Sequence, residues 1–261
     1  MNLFSTDLTI LGPALIAGLL VVVSHVPLGQ QVLSRGIVFI DLAIAQVAGL
    51  GVIAANAFHL PIQGWGAQAA AGAAALAGAL LLTWTERKRP EVQEALIGIL
   101  FVLASTAQIL LLANDPHGGE NLKDLLAGQI LWVSNDQLIR TAILTAVFAL
   151  IWFRWRERIG RVGFYVLFAV VVTASVQMVG VYLVFTSLIV PAVATYRYAA
   201  NRQLALGYTL GFASYLVGLA ASVITDLPSS PVIVWAMGIL GLLVHLASDR
   251  KARAAAALQP E

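Results

Sequence analysis

The chain contains no cysteine and little charge, and each shortage excludes a class of protein. Without a thiol there is no disulfide framework, no thiolate zinc site and no cysteine nucleophile. Charged residues make up 11% of the 261 positions and hydrophobic ones 60%, with a mean hydropathy of +0.88. Soluble domains carry about 25% charge, so a soluble globular domain is excluded and the chain is expected to fold in a bilayer. The patterns G-x-x-x-x-G-K-[ST], H-E-x-x-H and G-x-S-x-G are also missing. Their absence removes nucleotide hydrolysis through a P-loop and the commonest signatures of metal and serine hydrolysis. The N-terminus, MNLFSTDLTILG, lacks the basic segment of a signal peptide and carries Asp7, so the first apolar run is expected to stay as a helix.

What is present is a series of long apolar runs. A spanning helix needs about 20 apolar residues, and runs lie near Leu8 to Val26, Ile37 to Leu60, Ala67 to Trp84, Ala95 to Ala113, Leu138 to Phe153, Val162 to Met178, Val181 to Thr195, Leu204 to Ile224 and Pro231 to Ala247. They predict nine spans, or eight if the stretch from Val162 to Ala200 does not cross twice. There Gly180 and Pro191 interrupt an apolar run too long for one span and slightly short for two, which fits a tight hairpin or a partly re-entrant segment. The Ala/Gly-rich third run has the small residues that let transmembrane helices approach closely. Trp65 and Trp84 bracket it at about 28 Å by helix rise, a spacing that suits the aromatic belts of one bilayer.

Thirteen of the fifteen Lys and Arg residues fall into alternate gaps between these runs. Cytoplasmic loops are enriched in cations. Arg35, the group from Arg87 to Arg89, the group from Arg154 to Arg161, Arg197 with Arg202, and Arg250 to Arg253 therefore mark the cytoplasmic side. Only Lys123 and Arg140 dissent. An odd span count then puts the N-terminus outside and the C-terminus inside. The net charge of +2, scattered over separate turns, does not form a nucleic-acid surface. The long outer loop from Asn114 to Gln137 holds Asp115, His117, Glu120, Asp124 and Asp136, and its middle, LLAGQILW, predicts a short interfacial helix.

Asp41 is the residue that points most directly to chemistry. It sits inside IVFIDLAIAQVAGLG, six positions after Arg35, and a carboxylate costs at least about 2.5 to 3.5 kcal/mol at the centre of a span. Its helical face continues through Ala45, Ala48, Gly49 and Val52, mostly small residues that would pack on protein or line a cavity. A place on a transport path and a structural role, pairing with Arg35 or capping a helix, both fit the position. His25, His59 and His245 fit hydrogen-bonded packing better than ligation, and the 18 residues between Asp41 and His59 are about 27 Å of helix. His117, between Asp115 and Glu120, could attract cations at the outer mouth, and a solvated acidic loop explains it equally well.

Three stretches taken in order carry a resemblance: GLLVVVSHVPLGQQVLSRGIVFIDLAIAQVAGLGV from Gly18 to Val52, EALIGILFVLAS followed by LLAGQILWVS, and VGVYLVFTSLIVPAVAT from Val179 to Thr195. They resemble the membrane permease subunits of ABC-type importers for zinc, manganese and related divalent metals, the ABC-3 family. In that pattern a Pro-Leu-Gly turn and an Arg precede a helix with an intramembrane Asp. The resemblance implies an all-α polytopic permease of eight to nine transmembrane helices, one domain over residues 1–261, working as a homodimer in the inner (plasma) membrane. It implies a cytoplasmic ABC ATPase docked on each copy and a periplasmic or extracellular metal-binding protein that delivers the metal. The divalent metal would be substrate, ATP would bind the partner subunit, and no cofactor would be held by this chain.

Asp41 corresponds to the family's Asp on the translocation path. Gln46, the nearest polar residue, and His117 at the outer mouth are the further metal candidates, and Arg154, Arg156, Arg158 and Arg161 are the expected ATPase contact. Two positions depart from the family pattern. Ala45 stands where a His usually follows the Asp by four residues, and FRWRERIGRVGFY is too short for the acidic, Ala-rich cytoplasmic helix that usually precedes the span beginning near Val162. Two rival readings stand beside this one: a stand-alone ion-coupled carrier or channel with Asp41 as titrating group, and a membrane scaffold without a substrate.

Overall fold

The computed structural model describes residues 3–57, 65–113, 115, 117–155 and 158–257. Among the described residues there is no strand, and the chain runs through α1 (Leu3–Arg35), α2 (Ile40–Ala57), α3 (Trp65–Lys88), α4 (Gln93–Leu112), a short α5 (Gly118–Ala127), α6 (Asn135–Trp155), α7 (Arg161–Val179), α8 (Val181–Thr195), α9 (Ala200–Thr225) and α10 (Ser229–Ala257). Eight of these helices are long and apolar enough to cross a bilayer, and α8 is the short one left over. Its 15 residues rise about 22 Å, less than the roughly 30 Å of hydrocarbon. The ambiguous stretch is thus one full span, a single-residue break at Gly180, and a short helix that packs on α1 and α10.

The first helix runs further than the apolar pattern suggested. Pro27-Leu28-Gly29, expected as a turn, lies inside α1, and the reversal comes at Gly36, whose φ is +67°. Proline removes the amide that would have bonded the carbonyl four residues back. Here that carbonyl, on Val23, accepts a hydrogen bond from the Tyr208 hydroxyl of α9 at 3.3 Å, which is how membrane helices keep a proline without breaking. Gly29 lets α8 come against α1, because a Cβ there would collide with the Leu188 carbonyl. Pro191 likewise sits inside α8 rather than ending it.

The helices differ in how much protein covers them. Most of α7 and about half of α1 and α2 are covered by protein, whereas α4, α6 and α10 turn Leu103, Leu110, Ile143, Leu150 and Leu242 outward, as lipid contact requires. The antiparallel pair α2 and α3 closes on small residues: Gly51 meets Ala70 and Ala74, and Gly78 meets Val47. The expected single helix over LLAGQILW does not form. Gly128, at φ +69°, stops α5 after Ala127, and a 3-10 turn (Ile130–Trp132) follows. Gly128 packs directly on Gly180, so the two chain breaks meet.

Candidate transport site

Asp41 lies in the first turn of α2 and is 1% exposed, and its carboxylate has no side-chain partner among the described residues, only the amides of its own residue and Leu42 nearby and short of good hydrogen-bond geometry. Two structural roles open to it from sequence are taken by other groups. The Arg35 guanidinium lies over the Phe164 ring, 4.1 Å from its centroid. The Phe39 amide just ahead of α2 donates to the Glu94 carboxylate at 3.2 Å. What favours a carboxylate at this point is the positive end of the α2 macrodipole and the amides of its first turn, which have no partner within the helix.

The face of α2 above Asp41 is lined with small side chains. Ala45 and Ala48 are buried, and Ala48, Gly49 and Val52 then form one wall of a cavity of about 500 Å³. The cavity rises past Asn56 and Ala57 to Ala67 and Asp115, at the ends of α2, α3 and α4 that the charge pattern puts outside; Leu125 of α5 and Thr173 and Gln177 of α7 complete it. Ala48 is seven residues from Asp41, about 10 Å along the helix. Asp41 and Ala45 are not among the lining residues, so the buried carboxylate lies on the same helical face about two turns before the cavity begins.

Gln46 is 2% exposed and does not face Asp41's side of the helix; its backbone and side-chain carbonyls both accept from Gln108 Nε2 of α4, at 2.9 and 2.7 Å. His117 is exposed, 3.8 Å from Glu120, and its amide donates to Asp115 at 2.9 Å. It therefore belongs to the mouth, since Asp115 lines the cavity. His25 is buried with Nδ1 2.9 Å from Ser24 Oγ and 3.0 Å from the Val21 carbonyl, and His245 stacks on Tyr196; both are packing positions. His59 falls outside the described residues. Among the described residues no three His, Asp or Glu side chains converge on a point that could hold a metal ion.

At the helix ends that the charge pattern puts inside, Arg154 and Arg158 are exposed, and Arg161 is partly occupied by Glu86 of α3 at 3.3 Å. Arg156 lies outside the described residues. The polar residues missed in the sequence are Gln108, Thr173 and Gln177. A signal was there: each is a polar side chain within an apolar span, where such groups are rare and usually face protein or water.

These features define an all-helical, multi-pass membrane transport subunit. The profile of the ABC 3 transport family matches residues 7–160 and 158–248, and the chain belongs to that family. It is a membrane permease and not a catalytic subunit. The two matched segments meet at the short turn between α6 and α7. Among solved structures, PsaBC from Streptococcus pneumoniae in complex with Fab is similar at 23% identity and a TM-score of 0.75, over 92% of this chain and 94% of that one. A metal-chelate type ABC transporter in an inward-facing conformation is similar at 18% identity and a TM-score of 0.65, over 89% of this chain and 86% of the other.

Proposed function

We propose that this chain is the permease of an ATP-driven importer that carries a divalent metal ion, zinc or manganese, across the inner (plasma) membrane. It works as a homodimer, with a cytoplasmic ATPase on each copy and an extracytoplasmic binding protein that delivers the ion. The observation that carries the reading is the carboxylate of Asp41, buried without a side-chain partner on the α2 face that higher up lines the outward cavity. A buried charge without a partner is costly, so a dication reaching it regains what desolvation took away. Asp115, with His117 and Glu120 beside it, concentrates cations at the mouth. Arg154, Arg158 and Arg161, with Arg156 between them in the sequence, are the residues that meet the ATPase in this reading.

The test is metal uptake by the permease reconstituted with its ATPase and binding protein. Asp41→Asn keeps volume and hydrogen-bonding capacity but removes the charge, and uptake should fall to background while expression and dimerisation persist. Wild-type uptake by folded Asp41→Asn would remove Asp41 from the path. Transport that needs no nucleotide and follows a proton gradient would replace the importer by an ion-coupled carrier.

A further inference from the structure

Two buried neutral oxygens, one on the cavity wall and one just behind it, have no hydrogen-bond partner among the described residues. Gln108 is fully buried, and its Nε2 is held by both carbonyls of Gln46. That anchorage determines which way the amide points. The backbone carbonyl of Gln46 can only accept, so the atom against it must be the NH₂, and Oε1 is turned the other way. Oε1 is buried and unpartnered. It lies over Gly49, 3.2 Å from where a Cβ would be, and Gly49 is a cavity wall residue. From α7, Thr173 Oγ1 is also buried without a partner, although a helical threonine ordinarily bonds the carbonyl a turn back, as Thr83, Thr186 and Thr195 do here. Thr173 lines the same cavity.

We propose that Gln108 Oε1 and Thr173 Oγ1 form a neutral-oxygen binding site for a hard divalent cation such as manganese, one stage above Asp41. The inference rests on the permease reading. Ala45 supplies no imidazole on the Asp41 face, and no cluster of three His, Asp or Glu forms among the described residues. The donors left along the cavity are amide and hydroxyl oxygens with carboxylates above and below them. Carbonyl, carboxylate and water oxygens suit manganese, whereas imidazole and thiolate suit zinc. Neutral donors also hold a dication loosely enough to release it toward the carboxylate below, as a multi-site path needs. Leu125 of α5 packs over Gly49 beside Oε1, so α5 covers the site from outside.

The experiment measures binding of manganese(II) and of zinc(II) to the purified full chain in nanodiscs, with uptake of each ion in the reconstituted importer as a second readout. Gln108→Leu removes the oxygen but leaves Gln46 without its donor, so Gly49→Ala is the parallel variant. It keeps both Gln46 bonds and places a methyl against Oε1. Both should weaken manganese binding at least about tenfold, on the scale seen when metal-site partners are removed, and Thr173→Val should weaken it to a smaller degree. Gln108→His should shift preference toward zinc. Manganese binding at wild-type strength in Gly49→Ala and Gln108→Leu, with Asp41→Asn still inactive in uptake, would overturn the neutral-oxygen site and leave the permease reading intact. Gly49→Ala and Gln108→Leu weakening zinc binding as strongly as manganese binding would overturn the hard-cation assignment as well. Impaired binding in the Gln108 variants with full uptake in Asp41→Asn would support this site and remove Asp41 instead.

Discussion

Replacing Gly180 with Ala tests whether the meeting of two chain breaks holds the outer half of the molecule together. Gly180 has φ +84° and is backed by the α5 terminus: a Cβ would lie 2.6 Å from the Ala127 carbonyl carbon and 2.7 Å from Gly128 Cα, closer than real Cβ atoms come. Both obstacles are backbone, which cannot swing aside as a side-chain end can. With ψ at 163° as well, Gly180 lies in a region essentially reserved for glycine, where another residue costs about 1–3 kcal/mol, and forcing a methyl into a packed site costs about 1–3 kcal/mol more. The expected loss is therefore about 2–6 kcal/mol. At roughly 2–4 °C per kcal/mol for a chain of this size, the melting temperature in detergent should fall by about 4–24 °C. Gly128→Ala should behave alike, since it meets Val179 and Gly180 backbone, and the double variant should be less than additive because the two clashes are one contact. Gly98→Ala and Gly238→Ala, which have open space at the Cβ, should be neutral or gain up to about 1 kcal/mol of helix propensity. The assay is thermal unfolding of the purified chain followed by size-exclusion fluorescence. A melting temperature for Gly180→Ala within 2 °C of the Gly98→Ala control, taking about 2 °C as the effect of 1 kcal/mol, would refute the reasoning.

Three further outcomes follow from the same geometry. Because Arg35 stacks on Phe164 and leaves Asp41 alone, Arg35→Gln should lower stability by about 0.5–2 kcal/mol and should not rescue Asp41→Asn; restored uptake in the double variant would show that the two are paired after all. A single Cys in place of Gly119, exposed with room at its Cβ, should react with impermeant thiol reagents from outside, and one at Arg158 only after lysis; labelling of both from one side would reverse the topology. Gly118 is unsuitable for that purpose, since a side chain there would press on the Leu112 carbonyl at 2.6 Å. Reversing Arg154 and Arg158 to Glu should reduce co-purification of the ATPase with little change in melting temperature, because both are exposed; unchanged co-purification would move the contact to another cytoplasmic turn.

Sequence alone determined the class and the eight long spans, left the short helix α8 open, and singled out Asp41 as the candidate. These depend on properties that act one residue at a time or over one helix: apolar length against bilayer thickness, cation counts in short loops, and the cost of a carboxylate in hydrocarbon. Arg35 lies close to Asp41 in the chain, but only packing showed that its guanidinium is taken by Phe164 and that the amide ahead of α2 is taken by Glu94. Pro27 continues α1, where the family pattern has a turn, because the carbonyl it leaves free, on Val23, is satisfied by Tyr208, 185 residues further along the chain. Gln108 and Thr173 gave no decisive signal either, since a lone polar side chain in a span says that a partner is needed and not which one. Their meaning comes from three helices brought to one cavity and from the orientation that Gln46 imposes on Gln108. Periodicity and charge are local and legible in the chain; which buried oxygen is left without a donor depends on long-range contacts, and only the tertiary structure decides it.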